Sequence, residues 1–230
     1  MSINRLVLAA VVTASLAGAA LPAFSQTVRI TEVAPWGNTF GLAYAADWFE
    51  LTNTGSDSVN ITGWKMDDNS NAFGSSVALN GITSIAAGES VIFLETASPT
   101  TVGASFLSTW FGTNGGPRIG SYTGGGVGLG TGGDAVNIFD GSGTLQAKVT
   151  FGTADATSPY QTFDNAAGLN NAAITLLSES GVNGAFIAAN DTAEIGSPGL
   201  IAAVPGPESY AFMLAGLAVV GAIARKRNKN

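Results

Sequence analysis

The apolar residues of this chain fall in short alternating runs, and that pattern restricts its middle to β-strands. Val28, Ile30 and Val33 are apolar among Thr27, Arg29, Thr31 and Glu32, so residues 26–33 have the two-residue period of a half-buried strand. Trp48-Phe49-Glu50-Leu51 predicts a second strand, ended by the turn signal Asn53-Thr54-Gly55. Residues 59–66 alternate from Val59 to Met66 and predict a third. Residues 82–85 lead into a turn at Ala87-Gly88-Glu89, and Ser90-Val91-Ile92-Phe93-Leu94 is apolar enough for a central strand. Residues 135–139 and 145–151 flank Asp140-Gly141-Ser142-Gly143, a hairpin signature, with Leu145, Ala147, Val149 and Phe151 on one face. Residues 172–177 and 184–187 are weaker strand candidates. One short helix is predicted over 105–111, where Phe106, Leu107, Trp110 and Phe111 share a face. Short strands with turn signals about every ten residues predict an all-β sandwich.

Residues 112–133 interrupt this order: 11 of the 22 are Gly. Such a stretch cannot form a helix and has little to bury. It predicts an exposed loop holding short extended pieces around Ile119 and Val127-Gly128-Leu129. Residues 196–199, Gly-Ser-Pro-Gly, close the body.

The two ends differ from the middle. Arg5 precedes an apolar run to Leu21, followed by Pro22-Ala23-Phe24-Ser25, with small residues at Ala23 and Ser25. This is the pattern of a secretory signal peptide over residues 1–25, cut between Ser25 and Gln26, with an uncut anchor helix as the alternative. At the other end Val204-Pro205-Gly206-Pro207-Glu208-Ser209 precedes a 15-residue apolar run, 210–224, and then Arg225-Lys226-Arg227. As a helix the run spans about 22 Å at ~1.5 Å per residue. That is short of a bilayer core of about 30 Å. A buried core helix fits the length, but three adjacent cations cannot follow it into a core, so a C-terminal transmembrane helix with a basic stop is the better reading. The domain plan is therefore 1–25 signal, 26–203 body and 204–230 tail.

The body carries four cations, Arg29, Lys65, Arg118 and Lys148, against fifteen acids, a net of −11. It repels phosphate backbones, so nucleic acid is not an expected partner. The chain has no Cys and no His. An exported domain without Cys has no disulfide framework and must stand on its packed core. The same absence removes Ser-His-Asp triads, thiol nucleophiles and imidazole or thiolate metal sites, and no cofactor is expected. The Gly-rich run lacks the Lys-Ser/Thr of a P-loop.

Three constellations remain. Glu32 and Glu50 stand on strands among apolar neighbours; they are expected to hydrogen-bond loop backbone or pair with a cation, and a catalytic carboxylate pair is the sharper alternative. Trp48 and Trp64 are expected in the core, whereas Trp36 and Trp110, if exposed, would suit sugar stacking. Asp67-Asp68-Asn69-Ser70-Asn71 offers hard oxygens for calcium, with Asp67, Asp68 and Asn69 as candidate ligands, although the spacing is not that of an EF-hand and a solvated turn is the plainer reading.

Taken in order, Ile30-Thr31-Glu32-Val33, Asp47 to Gly55, Ile61-Thr62-Gly63-Trp64-Lys65-Met66, Ala87-Gly88-Glu89, Gly133 to Ile138 with its hairpin, and Ser197-Pro198-Gly199 resemble a lamin-tail domain. The resemblance implies an immunoglobulin-like β-sandwich, found in nuclear lamins and in secreted bacterial proteins. The tail resembles a PEP-CTERM sorting signal, carried by residues 204–209, Leu214-Ala215-Gly216-Leu217 and Arg225-Lys226-Arg227, with Pro205-Gly206-Pro207-Glu208 where Pro-Glu-Pro is usual. It implies a Gram-negative producer of exopolysaccharide and an exosortase as processing partner. The tail would span the membrane only until it is removed. The expectation is an exported, non-catalytic surface or matrix protein, associated with exopolysaccharide in a biofilm. The alternatives are a carbohydrate-binding or calcium-dependent adhesin module and a carboxylate-pair enzyme.

Overall fold

The alternating segments form strands in a computed structural model that describes residues 27–38, 41–112, 115–155, 157–165 and 171–200. In chain order the elements are β1 (Val28–Ala34), β2 (Trp48–Asn53), β3 (Val59–Asn60), β4 (Lys65–Asp67), β5 (Val77–Ala78), β6 (Ser84–Ile85), β7 (Ser90–Glu95), α1 (Pro99–Phe111), β8 (Arg118–Tyr122), β9 (Asp134–Phe139), β10 (Leu145–Phe151), β11 (Tyr160–Gln161), β12 (Phe163–Asp164), β13 (Ala172–Ile174), β14 (Phe186–Ala188) and β15 (Asp191–Gly196). The first sheet runs β12-β1-β2-β7-β8 and the second β13-β10-β9-β4-β5. Their apolar faces meet as a β-sandwich, the fold class the strand pattern predicts. A smaller sheet, β11-β15-β14, and helix α1 form a third layer on the outer face of the first sheet.

Alternation sends β2 residues to opposite sides of the first sheet. Phe49 and Leu51 face the second sheet. Phe49 packs against Phe93 at 5.6 Å and Tyr122 at 5.4 Å between ring centroids. Trp48 faces α1, edge-on to Phe106 at 5.4 Å and Trp110 at 5.9 Å. A bulge in β1 between Ile30 and Glu32 changes the parity. Ile30 lies opposite Leu51, whereas Glu32 lies opposite Glu50. The extra residue, Thr31, thus lets Ile30 face the second sheet and Glu32 face the third layer, which an unbroken two-residue period would forbid.

Three expectations need correction. Residues 59–66 are not one strand. Gly63 has φ 76°, and Trp64 N–H closes a turn onto Ile61 O at 3.1 Å. The chain therefore passes from the small β3–β6 pair to the second sheet. The helix begins at Pro99, six residues before the predicted start, because its first turns are small or polar and give no apolar periodicity. Pro at the start needs no N–H partner there. The Gly-rich segment is not simply an exposed loop. Its residues Arg118–Tyr122 form β8, parallel to β7, and Tyr122, Val127 and Leu129 are buried. At Gly120 a Cβ would stand 2.5 Å from Phe93 Cε1 and 2.8 Å from Asn80 O, so close backbone approach excludes a side chain.

Among the described residues no helix is long and apolar enough to cross a membrane. The signal segment 1–25, with Ser25 and Gln26, and the tail 204–230 lie outside the described residues.

Candidate functional site

The closing motif of the body is bonded to the two strand glutamates. Glu32 Oε1 accepts from Ser197 N–H at 2.6 Å and from the Thr162 hydroxyl. Glu50 Oε2 accepts from Gly199 N–H at 2.6 Å. Glu50 Oε1 accepts from the Thr31 hydroxyl at 2.5 Å and from Thr52 at 3.3 Å. Thr52 shares a further hydroxyl contact with Ser90 at 2.6 Å, and Thr162 one with Ser178 at 2.6 Å. The expectation that these acids bond loop backbone is met, and the loop is Ser197-Pro198-Gly199. At Gly196 a Cβ would lie 2.7 Å from Glu32 Oε1 and 2.9 Å from the Trp110 ring, so only Gly lets the strand end reach the carboxylate.

Both acids are buried, side by side on one sheet face rather than across a cleft. Burial holds the Glu32 carboxyl well above the usual range, and repulsion from Glu50 adds to it. Burial pushes Glu50 up to about 7, against the hydrogen bonds from Thr31 and Gly199. Two like charges at adjacent positions in a dry layer disfavour joint ionisation, so the pair holds a proton more readily than exposed acids do. Glu32 Oε2 has no hydrogen-bond partner among the described residues.

A third acid extends the buried polar layer. Tyr44 O–H donates to Glu194 Oε2 at 2.6 Å, and Trp48 Nε1–H donates to Tyr44 Oη at 3.3 Å. Burial raises Glu194 to about 8, although the bond from Tyr44 opposes it. Sequence reasoning missed Tyr44, Thr162 and Glu194. In Asp191–Gly196 the buried positions are Glu194 and Gly196. The inward face is therefore polar or bare, and the apolar alternation that marks a strand is inverted. An acid two residues before a Gly-Ser-Pro-Gly end was the available signal.

The other sequence candidates separate. All four Trp are buried, so Trp36 and Trp110 offer no sugar-stacking face. Trp36 Nε1–H donates to Gln161 O at 3.1 Å, and Trp110 packs in the α1 layer. Among the described residues no aromatic ring is exposed. Asp67 is fully buried, not solvated. Its Oδ2 accepts from the Ser70 hydroxyl and Ala72 N–H, both at 2.7 Å, and its Oδ1 from the Ser75 hydroxyl at 3.1 Å. Asp68 Oδ1 accepts from Ser70 N–H at 3.0 Å, and Asn69 N–H donates to Asp134 Oδ1 at 3.1 Å. These groups organise their own loop: the Asp67 oxygens meet donors, and Asn69 turns its N–H to Asp134.

One open cleft of about 430 Å³ lies beside the closing motif, with Glu89, Phe111, Arg118, Pro198 and Leu200 among its walls. Arg118 Nε–H and Nη2–H donate to the Glu89 carboxylate at 2.6 and 2.8 Å, and this charge pairing holds Glu89 below its usual range. Glu32 and Glu50 hold the last body segment to the sheet, whereas the Glu89–Arg118 pair in the cleft joins the turn before β7 to β8.

A family model described as Lamin Tail Domain matches residues 22–153, more than half of the chain. No curated protein matches the chain. Elements β11 to β15, with Thr162, Glu194, Ser197 and Gly199, lie beyond the matched segment.

Proposed function

The chain belongs to the lamin tail domain family, and from that premise we propose that it is an exported, non-catalytic protein of the cell surface or extracellular matrix, addressed by its C-terminal tail. The observation that carries the reading is the order of that tail: the Pro-containing motif Val204 to Ser209, the apolar run 210–224 and the basic stop Arg225-Lys226-Arg227. An exosortase recognises the motif in the membrane and removes the tail, which leaves the sandwich free or attached among exopolysaccharide in a Gram-negative envelope. The clamp at Ser197 and Gly199 supports this division, because the described fold is fastened immediately before the tail departs. Cutting beyond residue 200 removes none of the bonds described above. The sealed, side-by-side placement of Glu32 and Glu50 supports a non-catalytic role over a carboxylate-pair enzyme, whose acids must both reach a substrate.

The test is to express the full chain in a host with an exosortase and in one without, then determine mass and location. Loss of the tail within 204–210 only in the first host, with release from the membrane fraction, is the expected result. A tail that survives in both hosts makes the protein an ordinary anchored one and ends the exopolysaccharide assignment.

A further inference from the structure

Two hydrogen bonds hold the turn that closes the body. Leu200 N–H donates to Ser197 O at 2.9 Å and Gly199 has φ 78°, so residues 197–200 form a turn closed on itself. Among the described residues, its hydrogen bonds to the rest of the body are only those from Ser197 N–H to Glu32 and from Gly199 N–H to Glu50. Pro198, Gly199 and Leu200 also form one wall of the cleft of about 430 Å³, and Leu200 is exposed there. The turn is thus a cover whose attachment depends on two carboxylates.

Those carboxylates stand in a row of acids. Asp164 of β12, Glu32 of β1 and Glu50 of β2 share one register level across three neighbouring strands. Side chains directly opposite on one sheet face have Cβ atoms roughly 5 Å apart, and like charges so placed repel. Neutral groups bond the clamp acids: Thr162 and Ser197 on Glu32, and Thr31, Thr52 and Gly199 on Glu50. Among the described residues no cation pairs with either acid. Arg29 of β1 donates from Nε to Thr54 Oγ1 at 3.4 Å, and Arg118 at the cleft grips Glu89. From β15 the titratable groups are Glu194, bonded by Tyr44, and Asp191 beyond it. Helix α1 and the turn bring no charged side chain. Hydroxyls give protons a route to the pair: Ser90 lines the cleft and meets Thr52 at 2.6 Å, and Thr52 donates to Glu50 at 3.3 Å.

We propose that the turn 197–200 is a pH-operated latch on the cleft, shut while the Glu32–Glu50 pair holds a proton and released when both acids ionise. Burial raises Glu32, with Glu50 and then Asp164 adding to it, and burial raises Glu50 to about 7. Opening lets water reach both acids and returns them toward the ordinary value of 4.5. The closed state therefore has its full advantage below about pH 4.5 and loses it as pH climbs through 7. The two large sheets need not part, because their apolar faces meet on the other side of β1 and β2. Release widens the cleft and gives it an acidic floor beside the Trp110 ring, which packs at Gly196. The latch does not rest on the sorting assignment; exchange at the turn reads one and tail removal the other.

The experiment is residue-resolved amide hydrogen exchange on the purified full chain at about pH 5.5, 7 and 8.5, corrected for the intrinsic rate, with and without low urea. Protection at Ser197 and Gly199 should fall about tenfold or more across this range and respond little to urea. Phe93 of β7 and Val136 of β9 should stay better protected at each pH and lose protection with urea, because they exchange through unfolding. Glu50→Gln, which keeps an acceptor and removes the titration, should flatten the fall at Gly199. Equal protection of the turn and the core amides at every pH overturns the proposal, because the turn then leaves only with the whole fold. A turn that opens locally to the same extent at all three pH values overturns it too. Both results are read from the unaltered chain and stand even if the variant fails to fold.

Discussion

Gly199 N–H donates to Glu50 Oε2 at 2.6 Å across 149 residues of chain, so the last segment of the body is fastened to the second strand of the first sheet. Ser197 and Glu32 repeat the bond one strand away. Both acceptors are buried acids, and both donors are backbone groups that of all substitutions only proline removes.

Removing an acceptor therefore leaves a backbone N–H without its partner, buried at Ser197 and half-buried at Gly199. Glu50→Ala leaves the half-buried Gly199 N–H without its acceptor and the Thr31 hydroxyl with Thr52 alone. An unsatisfied buried donor costs about 1–3 kcal/mol. The expected loss in a urea titration is at least that size, with Glu50→Gln losing less because its amide oxygen still accepts. An Ala variant as stable as the original would show that the clamp contributes nothing.

The same acids set a pH dependence with an unusual sign. Glu50 and Glu194 are raised above 4.5, to about 7 and about 8. A raised folded pKa means that the folded state keeps the proton longer than the unfolded chain. The contribution is fully present below about pH 4.5, and it is lost as pH climbs through 7 and then 8. Stability should fall from pH 5.5 to pH 8.5, and Glu194→Gln, which mimics the protonated acid, should flatten the fall. Denaturant midpoints that rise over this interval would contradict the burial of these groups as acids.

What the sequence disclosed followed from where its apolar residues lie. Strands β1, β2, β7, β9 and β10 have apolar inner faces and declared themselves, as did the 140–143 hairpin, where Asp140 Oδ1 accepts from Ser142 and Thr144 N–H, both at 2.9 Å. The order of these pieces carried the family resemblance that the match over 22–153 bears out. Strand β15 stayed hidden because Glu194 and Gly196 are its buried residues. The extended piece around Ile119 is β8; its burial stayed hidden because composition reports how much apolar area Gly carries, not whether a neighbour needs the space. The pair Glu32–Glu50 was legible as two buried acids. Their common face was not, because it depends on a bulge at Thr31 that no periodicity marks.

That neighbour gives a direct test at Gly120. A methyl there would meet the Phe93 ring at 2.5 Å and Asn80 O at 2.8 Å. The ring is itself stacked on Phe49 at 5.6 Å, so it cannot swing away without opening the core. Overpacking of this kind costs about 1–3 kcal/mol. Gly120→Ala should lower the thermal midpoint, whereas Ala at Gly125, which has open space and ordinary φ, should leave it within a degree or so. Equal midpoints would mean that β8 is not held against β7.

The boundary of the family match and the boundary of the fold differ, and the difference is measurable. The match ends at 153, yet β12 pairs with β1 through Glu32↔Asp164 and Val33↔Phe163, and β13 pairs with β10 through Val149↔Ala172 to Phe151↔Ile174. A chain stopped at 153 leaves β1 and β10 as bare edges. It also leaves Glu32, Glu50 and Tyr44 buried or half-covered without Ser197, Gly199 and Glu194. Exposed edges and unpartnered polar groups add costs of the same order as a domain's whole stability of about 5–15 kcal/mol. A version ending at 200 should therefore unfold in one cooperative transition by circular dichroism, and one ending at 153 should show none. If the shorter chain melts cooperatively with native near-ultraviolet signal, residues 154–200 are an appendage, and the clamp is a consequence of folding rather than part of what secures it.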